Sequence, residues 1–210
     1  TLEMVGELTE GFAQTAKQHG AQIVGGNLTK TKGPAVISVT AGGQLVSDHA
    51  LTRTGAQVGD TVWVSGNLGD AALGYRCASF ENRSARHNWR PHLNEAKSLM
   101  DWGHATAGMD ISDGLVIDCQ RLAMASHVGI EIKRSALPVS AQYRQEMGHD
   151  LSLALTGGED YVLLFTAPKD RQPPGKMTAI GTCVENLGVR VDGAVIADPG
   201  FDHFTGETGD

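Results

Sequence analysis

Short runs rich in Val and Ile alternate along this chain with stretches of helical spacing, and glycine stands at most of the changeovers. That alternation restricts the fold to a mixed class, because a strand repeats every two residues and a helix face every three or four. Leu2, Val5, Leu8, Phe12 and Ala16 predict a helix over 2–19 with one buried face, which Gly20 ends. "AQIVGG" (21–26) and "PAVISVTAGGQLV" (34–46) read as strands on either side of the polar turn "NLTKTKG", and "DTVWVSG" (60–66) as a third. Helical patterns follow over 69–80 and 92–106, the latter with Pro91 near its first turn, and again over "LVIDCQRLAMASH" (115–127). "IEIKR" (130–134) and "DYVLLFTAP" (160–168) are strands, "KDRQPPGK" (169–176) a surface loop, and "MTAIGTCVE" with "VRVDGAVIA" a terminal strand pair. There is no internal repeat. The fold class is α/β (α+β), with the order of the strands left open.

Composition narrows the function classes. With 40% hydrophobic and 20% charged residues the chain has the make-up of a globular protein with a real core. No apolar run approaches the ~18 residues of a membrane span, and no basic flank leads into an apolar segment at the start, so no membrane partner and a cytoplasmic location are expected. A net charge of -7 with scattered Lys and Arg argues against nucleic-acid binding, which needs a concentrated basic face. It does not exclude phosphorylated ligands, because divalent metals and backbone amides can supply positive charge locally. Cys77, Cys119 and Cys183 are widely spaced, without a CxxC, and read as buried free thiols.

Three segments share a layout in which an apolar element runs into glycines and polar residues sit at the junction. They are "IVGGNLTK" (23–30), "GMDISDGL" (108–115) and "LTGGEDYVLLF" (155–165). Glycine there lets a ligand approach the backbone closely. In the second, Asp110 or Ser112 could cap the following helix, or Asp110 and Asp113 could hold Mg2+, which prefers carboxylate oxygens and bridges to phosphates. A helix start also attracts anions, so both readings can hold. In the third, Glu159 and Asp160 are either solvated acids in a tight turn or site residues at the mouth of an apolar strand. "GGN" can be a simple turn, and Arg53 in "LTRTGAQVGD" either a lone surface cation or a phosphate partner. Phe201 and Phe204 in "GFDHF" either anchor the tail or stack on a ligand.

Taken in order, "GGN", "LTRTGAQVGD", "DISDGL", "GGEDYVLLFT" and "GFDHF" resemble the thiamine-monophosphate kinase family, over nearly the whole chain. That family is grouped with aminoimidazole ribonucleotide synthase, selenophosphate synthetase and a hydrogenase maturation protein on a shared two-domain α/β fold that uses ATP. The resemblance implies that 1–46 are the last helix and strand of an N-terminal ATP-binding domain and 47–210 an entire C-terminal domain. The family's other acidic motifs would precede Thr1.

Residue by residue, the resemblance implies that Gly26, Asn27, Arg53 and Ser112 contact ATP, that Asn27, Asp110 and Asp113 ligate Mg2+, and that Glu159 and Phe201 contact thiamine monophosphate. Phe201 would stack on a cationic heterocycle. Asn27 departs from the family, many members of which carry Asp there; its carbonyl oxygen lacks the charge. The implied reaction is Mg-dependent transfer of the ATP γ-phosphoryl to thiamine monophosphate, giving the diphosphate, by a cytoplasmic homodimer. The alternatives are a catalytically incomplete fragment, or another ATP-using member of the same group. No covalent nucleophile is expected.

Overall fold

A computed structural model describes residues 1–45, 50–77, 90–197 and 200–201. The chain divides into two compact units, Thr1–Gly43 and Gln44–Asp210.

The first unit contains helix α1 (Leu2–Gln18), whose N-cap hydroxyl on Thr1 accepts from the Met4 amide at 3.3 Å. The expected helix is there, but its expected buried face is not: no residue of α1 is buried. Segments 21–26 and 34–45, expected as strands, have no regular secondary structure, and Val46 lies outside the described residues. A strand persists only when a neighbour takes up its amides and carbonyls, and no described segment pairs with these. Their apolar side chains stay exposed, Val24 at 94% and Val36 at 79%.

The second unit is built on a six-stranded sheet of β1 (Thr61–Val64), β2 (Ala107–Asp110), β3 (Gly129–Ile132), β4 (Leu163–Ala167), β5 (Thr178–Val184) and β6 (Gly188–Val191). The order is β2-β4-β1-β5-β3-β6, with every pairing antiparallel except β3 with β6. Helices α2 (Asp70–Cys77), α3 (Leu93–Trp102), α4 (Leu115–Ser126), α5 (Ala141–Met147) and α6 (Ser152–Thr156) complete it.

Period-2 alternation sorts the strand side chains between two cores. Val62, Val64 and Leu164 join Leu115, Val116, Cys119 and Leu122 of α4 in the larger one. Trp63, Phe165 and Ala167 face the other way and join Leu99 of α3, with the Trp63 and Phe165 rings stacked 6.5 Å apart. Both faces of the central strands are therefore covered, which is why "TVWV" and "LLFTA" are continuously apolar.

Three expectations change in the second unit. The helix expected over 92–106 ends at Trp102, because Gly103 turns left-handed (φ 70°) and returns its amide to the Leu99 carbonyl. The helix expected over 69–80 is α2; residues 78–80 are outside the described ones. The last two strands do not pair with each other, because β3 lies between them. The short link from β5 to β6 crosses the start of β3 at Gly129, where a Cβ would strike the Asn186 carbonyl. Only glycine leaves room for that crossing. The thiols of Cys119 and Cys183 are buried as expected, whereas Cys77 is exposed at the end of α2.

Candidate functional site

The β2–β4 ladder brings two of the three glycine-flanked motifs together. Its last pair is Asp110 opposite Leu163. Beyond it the pairing continues through the motifs themselves: the Ile111 amide donates to the Val162 carbonyl (2.9 Å), Tyr161 to Ile111 (2.8 Å) and Glu159 to Ser112 (2.7 Å). "DISDG" and "GGEDY" are thus two continuations of adjacent strands. The chain end joins them, since the Phe201 amide donates to the Asp113 carbonyl at 3.0 Å. Gly114 then turns into α4 with φ 131°, its Cα so close to Thr156 that a Cβ would meet the Thr156 carbonyl.

The helix start gives its cap position to neither Asp110 nor Ser112. Gly114 occupies the cap position of α4 with no side-chain cap bond. The amides of Ser112 and Asp113 donate instead to Oδ2 of Asp118, at 2.9 and 3.0 Å. Asp118 is fully buried, and its Oδ1 accepts from Arg121 Nη1 at 2.6 Å. The same guanidinium nitrogen bonds Oδ2 of Asp113. Burial pushes the Asp118 carboxyl above the usual carboxylate range, against the opposing pull of the two amides and Arg121. Gly114, not Asp110 or Ser112, is the cap residue, and Asp110 stands exposed at the strand end.

The third motif divides its two acids. Asp160 is buried and accepts from the Gly69 amide (2.5 Å) and the Ala71 amide (3.1 Å), closing the start of α2. Burial raises its carboxyl to about 6 despite those amides. The reading of Asp160 as a solvated acid is thus corrected: the amides of an adjacent helix start draw it inward. Glu159 is exposed. Glu159 and Tyr161 on either side adopt φ of 71° and 51°, which costs non-glycine residues about 1–3 kcal/mol each. Burial pushes the Tyr161 phenol up from its ordinary value, and its bond to Glu159 and the charges of Glu159, Asp110 and Asp113 push the same way. Negative charge gathers around that ring. Tyr161 and Asp118 are the residues that sequence reasoning missed. Tyr161 was legible only as part of an apolar strand, and Asp118 only as a helix position.

Of the other candidates in the second unit, Arg53 is not gathered here. The Arg53 carbonyl accepts from Ser126 Oγ at 2.7 Å, at the far end of α4, roughly 17 Å along the helix from Leu115. Gly26 and Asn27 lie in exposed chain of the first unit. Phe201 is 56% exposed, so its ring is not built into the core; Asp202, His203 and Phe204 fall outside the described residues.

Among the described residues no three His, Cys, Asp or Glu side chains stand close enough to hold a metal by themselves. The carboxylates of Asp110 and Asp113 are nevertheless hard oxygen donors of the kind Mg2+ takes, with Oδ2 of Asp113 also bonded by Arg121. Mg2+ commonly takes one or two carboxylates and completes its shell with water and phosphate. Beyond the described site, no helix among the described residues is long and apolar enough to cross a membrane.

Residues 57–193 match the family described as AIR synthase related protein, C-terminal domain. The thiamine-monophosphate kinase of Aquifex aeolicus is 38% identical over 209 residues, covering 92% of this chain and 67% of that protein. A crystal structure of thiamine monophosphate kinase from Aquifex aeolicus superimposes with a TM-score of 0.74 at 33% identity, over 93% of this chain and 70% of that one. A second structure, AaThiL complexed with AMPPCP and TMP, gives 0.64 at 40% identity, over 73% of this chain and 54% of that one. The chain thus spans roughly half to two thirds of the length of these relatives. It belongs to the thiamine-monophosphate kinase family, with the AIR synthase-related C-terminal domain at residues 57–193.

Proposed function

We propose that the intact protein transfers the γ-phosphoryl group of ATP to thiamine monophosphate in a Mg-dependent reaction. The observation that carries this reading is the meeting of "DISDG", "GGEDY" and Phe201 at one sheet end, in a chain 40% identical to a protein complexed with AMPPCP and TMP.

The acceptor is an ionised phosphate oxygen, so no general base is needed and catalysis falls to positioning and charge neutralisation. Asp110 and Asp113 would hold Mg2+, which supplies charge neutralisation on the transferring phosphoryl group. Ser112 lies between them, where its hydroxyl would donate to a nucleotide phosphate. Glu159 and Phe201 bond the same turn through their amides, and their side chains would accept from and stack on the thiamine moiety. Gly26, Asn27 and Arg53 would complete the nucleotide contacts. Asp110, at the strand end, makes the clearest test. Asp110→Ala should cut turnover by ~100-fold or more and raise the Mg2+ needed for half-activity. ADP release would be measured with thiamine monophosphate as acceptor. No release from the unmodified protein would sink the reading, and unchanged Mg2+ dependence in the variant would remove Asp110 from the metal.

We also infer a cytoplasmic homodimer for the intact protein. The exposed apolar side chains of Val24, Val36 and Val39 in the first unit support pairing. Sedimentation equilibrium would detect it, and a monomer at micromolar concentration would refute it.

A further inference from the structure

Asp118 belongs to none of the glycine-flanked motifs, yet it holds the turn that carries two of their acids. Its Oδ2 takes the amides of Ser112 and Asp113, and its Oδ1 takes Arg121, which reaches back to the Asp113 carboxylate. The result is a closed ring: the Asp113 amide, Asp118, Arg121 and the Asp113 side chain. Both the backbone and the carboxylate of Asp113 are thereby fixed. A helix start requires much less than this. The amides of Ser112 and Asp113 lie before the cap residue Gly114, out of reach of a cap side chain, which serves the first turn of the helix; α4 instead buries Asp118 completely to take them.

We propose that Asp118, acting with Arg121, is a positioning residue for the reaction: it sets the direction of the Asp113 carboxylate and the shape of the turn from Asp110 to Asp113 before metal and nucleotide arrive. Preorganisation of this kind lets the site bind a cation without reordering its own ligands. The role rests on the kinase reading for its consequence in turnover, but not for its consequence in metal binding.

The test uses the intact protein and Mn2+ as a paramagnetic stand-in for Mg2+, with free Mn2+ read by electron paramagnetic resonance. In Asp118→Asn the side-chain amide must face either the backbone amides or Arg121, all of them donors, so one set of bonds is lost. Arg121→Met keeps the two amide bonds and the apolar stem but removes the tie to Asp113. Both variants should weaken Mn2+ binding by roughly 10–100-fold, and with it the KM for MgATP, by analogy with residues that orient metal ligands. Leu122→Ala, in the core on the same helix, should lower the melting temperature while leaving Mn2+ affinity unchanged. It separates loss of positioning from loss of stability. Unchanged Mn2+ affinity in Asp118→Asn overturns the proposal. Tighter Mn2+ binding in Arg121→Met also overturns it, since Arg121 would then be a competing cation. If the unmodified protein binds Mn2+ but does not phosphorylate thiamine monophosphate, the kinase reading fails, and the Mn2+ affinities still decide the role of Asp118.

Discussion

Glu159 and Asp160 are adjacent acids with opposite surroundings, and the difference has a measurable consequence. Glu159 faces solvent beside Tyr161, while Asp160 turns inward onto the amides of Gly69 and Ala71. Because the folded Asp160 holds its proton up to about 6 and an unfolded carboxylate releases it near 4, the native state binds the extra proton between those values. Stability from this group is therefore present below about pH 4 and is lost as pH rises to about 6, by up to about 3 kcal/mol. Urea midpoints measured from pH 4 to 7 should fall across that window for the unmodified chain, and the fall should flatten in Asp160→Asn. An identical slope in both would assign the effect elsewhere. At this scale the sequence shows which residues can do chemistry, but not which acid turns inward. Asp160 is buried because the start of α2, ninety residues earlier in the chain, comes to lie against it.

At the scale of elements, the site depends on β2 and β4 being neighbours, so that the two acidic turns extend from one ladder. β4 is legible as an apolar run. β2 is not, because "AGMD" is short and carries only Ala and Met as apolar side chains. The helices α5 and α6, of 7 and 5 residues, are likewise too short to show a period, and α5 depends on its cap, where the Ser140 hydroxyl accepts from the Tyr143 amide at 2.9 Å. The clearest misreading, the direct pairing of β5 with β6, turns on one glycine. Gly129→Ala would push a methyl group into the Asn186 carbonyl, and the link between the strands would have to move. A loss of about 1–3 kcal/mol in urea denaturation is expected. Unchanged stability would mean that the link does not cross there.

For the whole molecule, the two units differ in what holds them. Among the described residues every buried hydrophobic side chain lies between Ala56 and Val191, and α1 buries none. A chain beginning at Gln44 should therefore melt within a few degrees of the 210-residue chain, because little of the burial that opposes chain entropy would be lost. Differential scanning calorimetry would check it, and a drop of tens of degrees would show that the first unit carries stability. The sequence by itself determined the mixed class, helices α1 to α4 and strands β1, β3, β4, β5 and β6, since periodicity is a local property of the chain. It also determined, through the order of the motifs, the family to which the chain belongs. Tertiary structure decided which of these segments could keep its form. Val- and Ile-rich stretches in 21–45 pair with no strand among the described residues and stay irregular, whereas the shorter β2 is held by β4. It decided too that the amides at the start of α2 bond to Asp160, some ninety residues later in the chain. A backbone amide bonds to whichever acceptor the fold delivers, and that depends on contacts that sequence spacing does not encode.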